Sequence, residues 1–548
     1  MIVLGSRGSD LAMAQTRSVA RLLRTAAGVE TRIEVIETTG DRITDRPLAA
    51  IGVKGAFTVE LEQALRSGAI DVATHSLKDL PVDDPGGLCL GAVPARADPA
   101  DVIVGRREIW CGSETSTEPD SACALAAGTT VGTSSPRRRA ALQIAAPDAA
   151  IVDIRGNVPT RVQRVREGSC DAVVLAAAGL DRLGLDLHGL ERRPLPVQRC
   201  PPAPGQGALA IQCRRDDART LALLRPLHDL DTARCVGAER ELLRALGGGC
   251  SMPLGALVAR DTGAGFRLRA ALFGGPGPSA VRADREGAEP TALVQEVAAA
   301  WQALVGEPLA GLRVALPRPD GIAGSLGMAL GVAGAAVEPL CWTRTQSVPV
   351  DAAEMGAVLD CAALAFSSTR AVRHFDTACR AIGRSLLEVP RLFAVGPATA
   401  TALMDIGADP CTANGSGGAA LADLLAGSLP SDAPVGYPCA VERHSAFETT
   451  SAARGLRVHA LPVYRTTGVD SVPRPASEPH VLLLTAPSAV ASWQARAASP
   501  DSYPVAAIGA ATAAALRDAG VEPVAGAEHA TLDDLVPMLR EVRDARAT

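Results

Sequence analysis

The sequence predicts an α/β protein in two halves, each built on strands and helices in alternation, and two internal repeats carry that prediction. The first repeat lies in the N-terminal half. ELEQALRSGAIDVATHSLKDLP (60–81) reads as a helix, a Gly68 stop, a short apolar strand and a polar turn. RVQRVREGSCDAVVLAAAGLDRL (161–183) repeats the scheme, with Gly168 and Asp171 matching Gly68 and Asp71. Two such βα units in parallel sheets suggest two lobes with a cleft beyond their strand ends. The second repeat lies in the C-terminal half. FSSTRAV (366–372) and LTAPSAV (484–490) are followed by AVGPATATALMDIG (394–407) and AIGAATAAALRDAG (507–520). Gly then Thr ahead of an Ala/Leu run reads as a strand-to-helix turn with free N–H groups at the helix start. Thr399 and Thr512 there are either structural caps or parts of an anion site. Between the halves, VGEPLAGLRVALPRP (305–319) breaks the pattern with Pro and Gly before a fresh strand, which puts the boundary near 308–311. RREIWCGSETSTEPDSAC (106–123) is polar and aperiodic and is expected to be a surface excursion. GYPCAVERHSA (436–446) shows no readable pattern.

Composition narrows the function. The 548 residues are 47% hydrophobic and 21% charged, enough for several packed cores. Net charge is −6, unlike a general nucleic-acid binder. No apolar run reaches the roughly 18 residues of a membrane helix, and Arg7 and Asp10 interrupt the start where a signal peptide would be apolar. The thirteen cysteines include no C-x-x-C pair, which points to reduced thiols in the cytoplasm and to no metal site. Of 54 basic residues only Lys54 and Lys78 are lysines, and Phe57 is the sole aromatic before Trp110.

Several arginines stand in small-residue turns or first helical turns at strand ends. Arg7 lies in GSRGSDLA, where Ser9 can cap the next helix. Arg137, Arg138 and Arg139 follow GTSSP; Arg155 lies in DIRGNVPTR, with Arg161 one turn further; Arg182 follows AAAGLD. Cations at helix starts oppose the dipole unless an anion is bound, and the guanidinium fork grips carboxylates in pairs. Arg21, Arg24, Arg164 and Arg166 are read instead as solvated surface. The ligand implied is a small molecule with several carboxylates or phosphates. In HSLKDLP (75–81), Asp79 either caps a helix or meets that ligand, with Lys78 to hold it ionised or to bind ligand anions. GGGCSMPLG (247–255) presents Cys250 on a triple-glycine loop, a setting suited to covalent attachment. The other twelve cysteines are read as inert core residues.

With these residues in view, 1 to about 305 resembles the hydroxymethylbilane synthase (porphobilinogen deaminase) family. The carrying motifs are GSRGSDLAMAQ, TTGDRI, GVKGAFTVELEQAL, DVATHSLKDLP, GTSSPRRRAALQ, DIRGNVPTR, LAAAGLDRL, PAPGQGALAIQCR and GGGCSMPLG. The resemblance implies two lobes like periplasmic binding proteins, 1–94 with about 200–222 and 98–199, and a small α+β third domain, 223–305. It implies a dipyrromethane cofactor joined to Cys250 by a thioether. It also implies condensation of four porphobilinogen molecules with ammonia release, then hydrolysis to linear hydroxymethylbilane. The family's catalytic aspartate falls on Asp79. Cofactor contacts fall on Lys78, Ser76, Arg137, Arg138, Ser134 and Ser135. Substrate contacts fall on Arg7, Ser9, Arg155, Arg161, Arg182 and Gln206, with Phe57 on a loop beside the site; Lys54 and Thr133 also lie in these motifs.

Residues from about 311 to 548 resemble the uroporphyrinogen III synthase family, on looser motifs: VALPRP, the two repeated pairs and PVYRT. That implies two flavodoxin-like lobes, 311–340 with 468–548 and 346–461, joined by a β-ladder of CWTRT (341–345) and PVYRTT (462–467). The implied reaction cyclises hydroxymethylbilane, inverts the last ring and releases water without a cofactor. Tyr464 matches a tyrosine assigned to hydroxyl departure, and Ser488 and Thr512 match cleft positions. Fusion would let the second half capture an unstable linear product at the roughly millimolar effective concentration of a short tether. Expected, then, is a cytoplasmic, bifunctional monomer acting on porphobilinogen, with no nucleic-acid, membrane or metal partner. Two alternatives stay open: a C-terminal half kept only for structure, and a non-enzymatic anion-binding module.

Overall fold

The structure is a computed structural model that describes residues 1–38, 58–82, 85–110, 125–248, 252–261, 265–275, 279–319, 321, 323–413, 417–441, 446–469, 475–485, 489–490, 493, 503–527 and 532–547. The chain forms two compact units, 1–273 with 282–302 and 274–281 with 303–548.

In the first unit, apolar IVLGS forms β1 (Ile2–Ser6), and the Ser9 hydroxyl accepts the Ala12 N–H to start α1 (Asp10–Ala27). β2 (Thr31–Val35) pairs parallel with β1. α2 (Val59–Ser67) buries Leu61 and Leu65 and stops at left-handed Gly68, after which β3 (Val72–Ser76) joins β1 in parallel. Beyond β4 (Leu88–Ala92) the chain crosses to a second sheet made of β5 (Asp101–Arg106), β6 (Thr130–Gly132), β7 (Ala150–Val152), β8 (Ala172–Ala176) and β9 (Leu190–Pro194). Interleaved with these are α3 (Pro136–Ala145), α4 (Val158–Arg166) and α5 (Ala177–Leu183), and the strand order is β7-β6-β8-β5-β9. β10 (Leu209–Arg214) returns antiparallel between β3 and β4, giving β2-β1-β3-β10-β4.

The repeat has a physical basis. Asp71 accepts the Val3 N–H at 2.8 Å and Asp171 accepts the Thr130 N–H at 2.8 Å, so each aspartate anchors the first strand of its sheet. Gly68 and Gly168 both take left-handed backbone at the preceding helix end. After α6 (Ala218–Leu224) and α7 (Leu230–Ala245) comes a three-stranded sheet of β11 (Leu254–Arg260), β12 (Phe266–Gly274) and β13 (Ser279–Gly287), then α8 (Pro290–Trp301) packed on α7. Buried Glu239 of α7 ties this part to both crossings. It takes the Arg96 fork at 2.6 and 3.0 Å, the Gly205 N–H at 2.7 Å and the Val258 N–H at 2.9 Å.

The second unit holds one ten-stranded sheet. In chain order it comprises β14 (Arg313–Pro319), β15 (Ala336–Ser347), β16 (Ala363–Phe366), β17 (Leu392–Ala394), β18 (Cys411–Thr412), β19 (Pro434–Ala440), β20 (Arg457–Gly468), β21 (Val481–Leu484), β22 (Val505–Ile508) and β23 (Ala525–Ala527). Its order is β18-β17-β16-β19-β20-β15-β14-β21-β22-β23. Every neighbouring pair is parallel except β15 and β20. β15 pairs with β14 through Thr343 and then, over 343–347, with 464–468 of β20. Both parallel sets are thus joined at their carboxyl ends.

Three expectations change. The segment from 106 does not open as a surface excursion, because Trp110 is buried, bridges to Leu125 and lies under the Arg193 guanidinium at 4.4 Å; residues 111–124 fall outside the described residues. GYPCA is buried strand β19, with Tyr437 against Phe447 at 4.5 Å. At the helix after β22 the N-cap is Gly509, with φ +84°, so Thr512 is a buried first-turn residue rather than the cap.

Where the crossings 93–100 and 195–208 meet, Ala97 N–H donates to the Gly207 carbonyl at 3.2 Å. Gly207 has φ +86°, and a Cβ there would lie 2.5 Å from the Ala97 carbonyl oxygen and 3.1 Å from that of Asp98. Backbone on both sides of the clash leaves no easy relief. Gly207→Ala is expected to lower stability by about 2 kcal/mol or more, read from chemical denaturation of the purified protein.

Candidate active site

The turns after the strands of the first unit converge on a cleft of about 720 Å³ between its first two sheets. β3 delivers Ser76 and a short 3₁₀ turn, Leu77–Asp79, which sets Lys78 and Asp79 at the wall. The loop after β1 supplies Arg7 and Ser9, the turn into α3 supplies Ser134 and its first turn Arg138, and the loop before α4 supplies Arg155 and its first turn Arg161. Arg182 comes from α5 and donates to the Gly207 carbonyl at 2.7 Å. Arg164 also lines the cleft, half-buried, which overturns its reading as solvated surface. Against six arginines and Lys78, the only acidic lining residue among those described is Asp79. Burial, and then the charges of Arg138 and Arg164, lower the pKa of Arg161; burial lowers that of Arg182. Like charges held this close are stabilised by a polyanion.

Beneath the cleft lies a buried network centred on Asp101, a residue the sequence reading passed over. Arg137 reaches its Oδ2 at 2.7 Å, Arg138 its Oδ1 at 2.6 Å, and the Gln206 amide its Oδ1 at 2.9 Å. Burial opposes the charge on Asp101, but Arg137 and Arg138 outweigh it and hold the carboxyl far below the usual carboxylate range. Arg137 is turned fully into this network, donating also to the Pro201 carbonyl at 2.8 Å and to Cys200 Sγ at 3.3 Å. Arg137 and Gln206 therefore lie under the cleft rather than on its wall, whereas Arg138 reaches both. Gln206 links the network to Lys78, whose Nζ donates to Gln206 Oε1 at 3.1 Å. Burial and then Arg138 bring the Lys78 pKa down to about 8, against the pull of Asp79 and Asp101. Ser135 caps α3, Ser134 donates to the Ile154 carbonyl, and Ser76 accepts from the Gln15 amide at 2.8 Å. Cys250, Lys54, Phe57 and Ser488 lie outside the described residues. Burial pushes the thiols of Cys213 and Cys379 up to about 12.

In the second unit, Tyr464 sits on β20 where the ladder begins, opposite Ser347. Its hydroxyl shares a hydrogen bond with Ser368 Oγ at 3.1 Å, and its ring stacks on His374 at 5.2 Å and 13°. The two ring nitrogens of His374 bond Ser347 Oγ at 2.9 Å and Thr345 Oγ1 at 2.7 Å. Thr512 is buried at the opposite set of strands. Among the described residues no helix is long and apolar enough to cross a membrane, and no group of acidic, His or Cys side chains could hold a metal ion.

Residues 2–222 match the family described as porphobilinogen deaminase, dipyromethane cofactor binding domain, and 233–302 match the porphobilinogen deaminase C-terminal domain. Residues 299–537 match uroporphyrinogen-III synthase HemD. The chain is 44% identical over 301 residues to a porphobilinogen deaminase from Acidithiobacillus ferrooxidans, covering 54% of this chain and 93% of that one. It is 46% identical over 258 residues to one from Roseiflexus sp., covering 47% and 81% respectively. A solved uroporphyrinogen-III synthetase from Helicobacter pylori aligns at 16% identity and TM-score 0.30, over 43% of this chain and 100% of that one.

Two predictions arise from the network. Asp101→Asn is expected to cost about 3 kcal/mol or more at neutral pH, since it strips two buried guanidinium groups of their counter-charge. The depressed pKa means that Asp101 stabilises fully above about pH 4 and less as pH falls below it, so wild type and variant should converge in acid denaturation. With only two lysines in the chain, ¹³Cε-lysine NMR of cofactor-free protein should show one resonance titrating near pH 8, absent in Lys78→Arg.

Proposed function

We propose that this chain, which belongs to the porphobilinogen deaminase family through residues 2–302 and carries a uroporphyrinogen-III synthase domain after them, performs two consecutive steps of tetrapyrrole synthesis. The observation that carries the reading is a cleft in which six arginines and a lysine face one carboxylate, Asp79. Porphobilinogen bears an acetate and a propionate, so a chain of four carries eight carboxylates. A cation-lined cleft suits that ligand and suits little else of its size.

A dipyrromethane, itself a polycarboxylate, fits the same donor set, with Lys78, Ser76, Arg138, Ser134 and Ser135 to hold it and Cys250 as its thioether anchor. When bound it supplies the pyrrole carbon to which the first substrate is joined. Arg137 and Gln206 act from below by fixing Arg138 and Lys78. Arg7, Ser9, Arg155, Arg161 and Arg182 hold the substrate carboxylates, and Arg164 adds to them. As ammonia leaves the aminomethyl carbon, positive charge builds on the pyrrole; Asp79 Oδ stabilises it and takes the proton of the pyrrole carbon or N–H. Four rounds and a hydrolysis release hydroxymethylbilane.

In the second half, Tyr464 assists departure of the substrate hydroxyl as water while the chain closes with inversion of its last ring. Thr512, and by family resemblance Ser488, serve as further substrate contacts. Holding a flexible substrate in the reactive geometry accounts for most of the rate there. One chain supplies every residue named, so a cytoplasmic monomer suffices.

Asp79→Asn should keep the cofactor mass yet lose ammonia release by at least about a hundredfold, while Cys250→Ala should lose the adduct by mass spectrometry. Porphobilinogen given to the purified protein should yield the type III isomer of uroporphyrinogen. Type I alone would reduce the second half to a structural domain.

A further inference from the structure

Most arginines of the second unit are satisfied: Arg380 pairs with Asp376, Arg384 with Glu388, Arg454 with Asp423 and Arg517 with Glu522. Two half-buried ones are not. Arg318, next to last in β14, makes no side-chain hydrogen bond or ion pair among the described residues, and its Nε is buried without a partner. Burial lowers its pKa with no carboxylate to offset it. Arg370 follows Ser368, the N-cap of the helix Thr369–Ala381, and its guanidinium lies 5.9 Å from the centre of the Tyr464 ring. It too has no ion pair or hydrogen bond among the described residues. An unpaired guanidinium withdrawn from water is costly, and most such groups in folded proteins meet an anion.

The topology gives these two residues a common setting. β14 connects to β15 on one side while β21 connects to β22 on the other, so β14 and β21 flank a point where the strand order reverses. β16 and β19 flank the equivalent point in the other parallel set. Ligands of open parallel sheets bind beyond the carboxyl ends at such points. Arg318 lies one residue before the end of β14, and Arg370 lies in the first turn of the helix after β16. The ladder of 343–347 with 464–468 makes the two carboxyl edges face each other, separated by about 14 Å at the usual rise of a strand.

We infer that Arg318 and Arg370 grip carboxylates of a linear, polycarboxylated tetrapyrrole from opposite edges of this gap, Arg370 setting the bound chain beside Tyr464. The inference rests on the cyclisation reading and names the side chains that give it a charge-based grip. It also explains why an arginine can remain unpaired beside a tyrosine whose own hydroxyl is engaged by Ser368.

The test uses full-length wild type, Arg318→Gln, Arg370→Gln and the two Lys variants, each checked for an unchanged thermal unfolding midpoint. Synthetic hydroxymethylbilane is the substrate for type III formation, and uroporphyrinogen III binding is followed by tryptophan fluorescence. Each Gln variant is expected to raise KM and the uroporphyrinogen Kd about tenfold or more, with the Lys variants recovering part of the loss. KM and Kd within twofold of wild type in both Gln variants would overturn the inference while leaving the cyclisation reading intact. A wild type that makes no type III isomer sinks that reading; the binding titration then decides alone, with weakened binding in the Gln variants supporting the two-arginine grip and unchanged or absent binding refuting it.

Discussion

The first unit depends on one buried carboxylate. Asp101 opens β5 at the point where the chain has just crossed from the first sheet to the second, and no part of it reaches solvent. A charge in that position costs several kcal/mol unless it is paired and hydrogen-bonded on every side. Arg137 and Arg138 come from α3 of the second sheet, Gln206 comes from the returning crossing, and Lys78 hangs from Gln206 on behalf of the first sheet. Satisfying Asp101 therefore fixes where both sheets stand against the two crossings. It also removes an objection to α3 itself, whose first turn carries three arginines against the helix dipole.

Glu239 extends the same logic to the third sheet. The Arg96 fork that it holds also donates to the Gln206 carbonyl at 2.8 Å, so two buried carboxylates share one glutamine between them. The cleft wall is in this way the outer face of a charged core. Arg138 belongs to both, which explains how a residue can line a ligand cleft and stay almost fully buried. Lys78 is in a similar position: its proton affinity is set from beneath by burial and Arg138, and from above by Asp79.

How much of this was legible depends on range. Short-range signals read well, because they are carried by a few adjacent residues: the Ser9 cap, the Gly68 and Gly168 stops and the turn-bound arginines all appear where local chemistry puts them. Asp71 and Asp171 were visible as a matched pair, although their shared role, anchoring a strand N–H, was not. Asp101 was missed because its partners lie 36, 37 and 105 residues away, and a lone Asp at a strand start has no local signature. Its one hint was a charge opening an otherwise apolar run, VIV. Arg164 was misread although it lies three residues from Arg161, hence on the same helical face. The sequence presents Arg137 and Arg138 as equivalents, but neighbouring helix residues point about 100° apart, and that rotation sends one inward and lets the other reach the cleft.

The two halves treat the same problem in different ways. In the first, arginines crowd a cleft and a carboxylate from the protein's own chain neutralises part of the charge from behind, so the site is organised before any ligand arrives. In the second, the sheet is continuous across the ladder, the hydrogen-bonded pairs of Tyr464 with Ser368 and Tyr437 with Ser367 hold the loop after β16, and no internal carboxylate serves Arg318 or Arg370 among the described residues. Looser motifs go with this arrangement. A site whose walls are strand ends and helix starts needs backbone in the right place more than particular side chains, so many sequences satisfy it. A site whose cations are locked by a buried aspartate allows few substitutions, because each member of the network carries the others' desolvation cost. That difference in physical tolerance is why the first half announces its chemistry in motif after motif while the second shows it mainly as a repeated pattern of glycine, threonine and alanine.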